Sequence, residues 1–121
     1  MIDCSAVIEA TSLATIVAFR GDCDVSSKRL IVSKLSSCSN AKQLIIDLSE
    51  VHYLDSVVLA ALMDVVRKRR TRGQFSPIVV ASSPFIRKIF TIAGMDLKLN
   101  IEETTLAATQ RALHMQLGLL G

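Results

Sequence analysis

Short apolar runs of strand type alternate along this sequence with longer segments whose apolar residues recur at helical spacing. Residues 4–10 and 13–20 are rich in apolar and β-branched side chains, with turn signals at Thr11-Ser12 and Gly21-Asp22, and read as the two strands of a hairpin. Residues 25–38 place Val25, Leu30, Ile31 and Leu35 near helical spacing, behind Asp24 as N-cap. Residues 43–48, QLIIDL, form a short run of the buried-strand kind. From Ser56 to about Arg70, Val58, Leu59, Leu62, Val65 and Val66 fall on one stripe of a helix. Asp55 stands where its carboxylate can accept from the free amides of the first turn, and Gly73 stands where the helix should stop. PIVVAS at 77–82 is another strand. Ser83 and Pro84 then open a helix with Phe85, Ile86, Ile89 and Phe90 on its apolar face and Gly94 at its end. A short strand near 97–101 and a last helix over about 104–117, with Leu106, Leu113 and Leu117 on one side, complete the pattern. The order β-β-α-β-α-β-α-(β)-α predicts an α/β fold. Strand–helix–strand units join parallel neighbours by right-handed crossovers, so the expected product is a mixed sheet of four or five strands with helices packed on it.

The 121 residues suit one domain, and with half of them apolar the core needs no disulfide or metal staple. The longest apolar stretches, such as Val57 to Met63, fall far short of the ~20 residues that span a bilayer. The first ten residues carry Asp3 and Glu9 and no basic region, unlike a secretory signal, so a cytoplasmic protein without membrane association is expected. The net charge of +3 is local. RKRRTR at 67–72 holds five of the fourteen basic residues, and the other nine face eleven acidic ones. The run sits where cations complement a helix C-terminus, and no aromatic platform accompanies it, so it reads as a solvated helix end and not as a nucleic-acid surface.

The chemistry-bearing residues are sparse. Cys4, Cys23 and Cys38 match no zinc or redox spacing and read as small buried hydrophobes in a reducing compartment. Cys23, in the polar GDCD segment, is the one best suited to be a redox-sensing thiol. His52 and His114 are isolated, and no phosphate-binding or nucleophile motif is present, so neither a metal nor a cofactor nor a catalytic role is expected. Asp47 ends a strand as a receiver domain's phosphoacceptor does. A receiver also needs an acidic pair after its first strand, and residues 11–20 have none.

Residues 44–62, LIIDLSEVHYLDSVVLAAL, resemble the signature of the STAS domain family, the fold of anti-sigma factor antagonists. That signature is a strand ending in D-L-S, a short connection, and D-S-S/T-G-L opening a helix. GDCD at 21–24 resembles the family's G-x-x-D turn, and residues 72–96 resemble its R-G-x-x-L stretch and the helix that follows. The resemblance covers about residues 5–117. It implies a single domain over 1–121 with a STAS-like (SpoIIAA-like) fold, acting without catalysis as a docking module that regulates sigma-factor-dependent transcription. The implied partner is an anti-sigma factor of the serine-kinase type. The implied docking surface is Asp24, Asp55, Ser56, Val57 and Val58, with Leu59 anchoring the helix behind them.

In the family, the Ser or Thr two residues after the helix-opening Asp is phosphorylated by that partner. Here this residue is Val57, which has no hydroxyl, and the family Gly is Val58. Ser56 matches the preceding family Ser, so it is the hydroxyl left for phosphorylation in this turn. Loss of the usual switch is the expectation. Two further readings stay open: a STAS-type sensor of a nucleotide or other small ligand, and a regulatory domain acting as a homodimer.

Overall fold

The computed structural model describes residues 3–118; the outermost positions of the expected domain, 1–2 and 119–121, lie outside them. Five strands form one sheet in sequence order: β1 (Ser5–Ala10), β2 (Thr15–Cys23), β3 (Leu44–Leu54), β4 (Ile78–Val80) and β5 (Asn100–Glu102). β1 and β2 are the expected antiparallel hairpin, with Ser5 opposite Arg20 and Ala10 opposite Thr15. β2 to β5 run parallel. The connecting helices are α1 (Lys28–Ser37), α2 (Ser56–Thr71) and α3 (Pro84–Ile92), and α4 (Thr105–Gln116) follows β5.

Sequential parallel strands joined by right-handed crossovers put their helices on one face. The larger core has this composition. Val17, Phe19, Leu44, Ile46, Leu48 and Val79 meet Ile31 and Leu35 of α1, Val58, Leu62 and Val66 of α2, and Ile86 and Phe90 of α3. The alternate strand residues Ile45, Ile78 and Val80 point the other way, against Ala108 and Ala112 of α4. Both faces of β3 and β4 are therefore covered, as the unbroken apolar runs LII and IVV require.

Local expectations hold where a cap or a stripe carries them. Asp55 and Ser83 cap their helices as expected by accepting from Val57 and Ile86, and the structure adds Thr104, which caps α4 by accepting from Ala107. Gly73 and Gly94 end α2 and α3 at φ 69° and 71°, a region open to glycine at no steric cost.

Other expectations are corrected. Gly21-Asp22 is not a turn: Gly21, at φ 90°, lies where β2 shifts register, and the strand runs on to Cys23. β3 continues past the expected end at 48, because residues 50–54 pair with this extension of β2, with the extra residue at each register shift on β3. A 3-10 turn over Val25–Ser27 precedes α1. The last strand sits at 100–102 because Met95–Leu97 form another 3-10 turn. Phe85 is exposed on the first turn of α3. Leu106, Leu113 and Leu117 face solvent, because α4 packs on β4 through its two alanines. Gln43, wholly buried, donates to the Ala112 carbonyl at 3.1 Å and fixes that side of the helix inward.

The basic run is also only partly a solvated helix end. Arg67, Lys68 and Arg70 are exposed, but Arg69 is 2% exposed. Its Nε donates to the Phe75 carbonyl at 2.8 Å, and its Nη2 donates to those of Ala41 and Lys42 at 2.9 and 3.1 Å. It thereby ties the end of α2 to the segment that leads into β3. Burial lowers its pKa from the ordinary arginine value. Arg69→Ala strands those three carbonyls, and a urea melt should show a loss of about 2–3 kcal/mol. The neighbouring Arg70→Ala should stay within about 0.5 kcal/mol of the parent.

Candidate functional site

The pairing of β2 with β3 brings the two acidic candidates together. Asp22 lies opposite Tyr53 and Cys23 opposite Leu54, so Asp24 and Asp55 leave adjacent strand ends as neighbours. The Asp55 N–H donates to the Cys23 carbonyl at 2.9 Å, which carries the ladder one residue beyond the strands. Each aspartate then opens the helical segment that follows it.

Asp24 folds its carboxylate over the 3-10 turn. Its Oδ1 accepts from the Ser26 N–H at 3.0 Å, the Ser26 hydroxyl at 2.5 Å and the Ser27 hydroxyl at 3.3 Å. The Ser26 hydroxyl is the main cause that lowers the Asp24 pKa from its ordinary value. Asp55 accepts from the Val57 N–H at 2.8 Å, and its other oxygen lies 3.5 Å from the Tyr53 hydroxyl. The Val58 and Leu59 amides reach the Asp55 carbonyl at 3.0 and 3.1 Å. Asp55 thus uses its side chain and its backbone to take up the Val57 and Val58 N–H groups in the first turn of α2.

The six candidates sort by depth. Ser56 is exposed, and Asp24, Asp55 and Val57 are half-buried, so these four reach the surface together. Leu59 is half-buried against the larger core, where it holds α2 in place. Val58 is 1% exposed and is a core residue, so it is no part of a surface. Position N3 of this helix points inward, along the same stripe as Leu62 and Val66. Sequence reasoning missed Tyr53 and Val25, which are exposed beside the aspartates at 45% and 63%. The signal for Tyr53 lay in the inward positions Val51 and Leu54, which leave His52 and Tyr53 outward at the end of β3.

The surface offers two carboxylates, the exposed hydroxyls of Ser26, Tyr53 and Ser56, the Tyr53 ring and the exposed Val25, and no nucleophile paired with a base. It is chemically equipped to recognise a cationic or hydrogen-bond-donating partner. Among the described residues no helix is long and apolar enough to cross a membrane.

The STAS domain family model matches residues 5–108. No curated protein sequence is a significant match. An anti-sigma factor antagonist from Mycobacterium paratuberculosis superposes with a TM-score of 0.84 at 22% identity, over 92% of this chain and 95% of its own. A variant of RsbS from Moorella thermoacetica does so with a TM-score of 0.76 at 18% identity, over 92% and 97%. The phosphorylated form of Bacillus SpoIIAA gives 0.68 at 19% identity, over 88% and 98%. At these identities the likeness is one of fold.

The capping geometry carries a testable consequence. Asp55→Ala should destabilise the protein by about 1 kcal/mol, whereas Asp55→Asn, which keeps an accepting oxygen, should retain most of that stability. Paired denaturant titrations of the two variants measure the difference.

Proposed function

This chain belongs to the STAS domain family, and from that premise we propose that it is an anti-sigma factor antagonist-like docking module. It binds an anti-sigma factor of the serine-kinase type and thereby regulates sigma-factor-dependent transcription, with no catalysis of its own. Its docking face comprises Asp24, Asp55, Ser56 and Val57, flanked by Val25 and Tyr53, and the chain acts as one domain in the cytoplasm. The observation that supports this reading most is the convergence of Asp24 and Asp55 on neighbouring strand ends, with Ser56 exposed at the first turn of α2.

Phosphorylation at the usual position has no acceptor here. Val57 stands two residues after the capping Asp55, where the family carries a hydroxyl, and the antagonist is constitutively competent with respect to that switch. A phosphate on a Ser at this point would place close to two negative charges beside Asp55, and the like-charge repulsion and the phosphate's desolvation cost would disrupt the docked turn. The ligand-sensing reading is weaker. An anion at a helix N-terminus uses free first-turn amides, and in α2 those of Val57 and Val58 already serve Asp55.

Incubation with cognate anti-sigma kinases and ATP tests the proposal. The parent chain should bind one of them and take up no phosphate. Val57→Ser should become phosphorylated at position 57 and lose binding by at least about tenfold once modified. Phosphate recovered on Ser56 of the parent chain, or no binding to any kinase-type anti-sigma factor, would overturn it. A thermal shift with GTP or ATP would support the sensor in its place.

A further inference from the structure

Cys4 and Cys23 are separated by 19 positions in the chain, yet their Sγ atoms lie 3.4 Å apart. Both are free thiols. Cys23 is 1% exposed in the larger core, and Cys4 is half-buried and packed against that core from just before β1. A disulfide needs its sulfurs at about 2.05 Å, so about 1.4 Å of approach would complete the bond. Cys4 precedes the first paired residue of β1, outside the ladder, and rotation of its side chain supplies that movement. Cys38, the remaining cysteine, is buried at the end of α1, where its contact is the Ser37 hydroxyl at 3.9 Å.

We propose that Cys4 and Cys23 form a reversible intramolecular disulfide, a two-electron redox site that nails the N-terminal segment to the end of β2. The two thiols have unequal roles. Burial, reinforced by the Cys4 contact, pushes the Cys23 thiol pKa up, which keeps it protonated and unreactive toward an oxidant in solution. Cys4 is the accessible member and reacts first. With a peroxide as oxidant, the Cys4 sulfur attacks one peroxide oxygen, the O–O bond breaks, and water leaves as the sulfenic acid forms. The Cys23 sulfur then attacks the sulfenic sulfur, the S–OH bond breaks, and the Cys23 proton leaves with the hydroxide as a second water. Two electrons pass from the two sulfurs to one peroxide. The bond forms beside the docking turn, since the Cys23 carbonyl is the acceptor for the Asp55 amide at 2.9 Å.

The purified full-length chain is treated with hydrogen peroxide, denatured, alkylated with iodoacetamide and weighed intact. One alkylation is expected after oxidation against three before, with a Cys4–Cys23 linked peptide in the digest and full recovery of three alkylations after dithiothreitol. Oxidised Cys38→Ser should carry no alkylation, and oxidised Cys4→Ser should give no intramolecular link. Three alkylations after oxidation of the parent chain, a link that involves Cys38, or intermolecular dimers in place of the link would each overturn the proposal. The readout needs no partner, so it stands or falls independently of the docking function.

Discussion

β2 and β3 pair in parallel from Thr15 opposite Leu44 to Cys23 opposite Leu54, well beyond the point where β4 stops opposite Asp47. The extension contains two register shifts, each with its extra residue on β3, and Gly21 stands beside one of them at φ 90°. In return, two strand ends arrive side by side. The residues that follow them, Asp24 and Asp55, must turn the chain into helices within a residue or two, and a carboxylate that accepts from the next turn's amides is the direct solution at both places. The acidic pair is thus a consequence of two capping requirements brought together by one strand pairing. Stability and the proposed docking would draw on the same side chains. Asp24 and Asp55 hold their own turns while presenting an edge to solvent.

The sequence announces those caps because they are local. Asp55, Ser83-Pro84 and the terminating glycines each act within four residues, so reading along the chain finds them. The stripe of α2 is legible for the same reason, with Val58, Leu62 and Val66 falling inward as spaced. What the chain conceals depends on partners remote in sequence. Leu106, Leu113 and Leu117 make the more conspicuous stripe of α4, yet the helix turns Ala108 and Ala112 to β4. Small side chains let its backbone approach a strand already crowded by Ile78 and Val80, and Gln43 holds the Ala112 carbonyl from the segment before β3. No periodicity count contains that contact across 69 positions.

Charge was legible in kind and not in place. Four consecutive cations at a helix end suggest uniform solvation, and three of the four comply. Arg69 cannot, because a helix repeats every 3.6 residues. It follows Leu62 and Val66 at spacings that keep it on the inward stripe, and the core side of the last turn must hold whatever stands there. Arginine meets that demand with a guanidinium whose donors fork to three carbonyls of two loops. The run therefore contains one structural cation among solvated ones. That lessens the charge it offers to a polyanion and strengthens the view that recognition lies at the other end of α2.

The docking turn and the thiol pair lie on two sides of the same residue, Cys23. Its carbonyl holds the Asp55 amide, and its sulfur faces Cys4. On the proposed reading, position 57 is a valine and offers a kinase no hydroxyl. The turn can also be reached through the strand beneath it, because the Cys23 backbone is shared by the ladder, the Asp24 turn and the start of α2. The sulfur pair is invisible in the sequence, since a spacing of 19 matches no motif. It arises because the hairpin folds the start of the chain back along β2. The same hairpin that forms the sheet edge therefore places a thiol pair beneath the turns of Asp24 and Asp55.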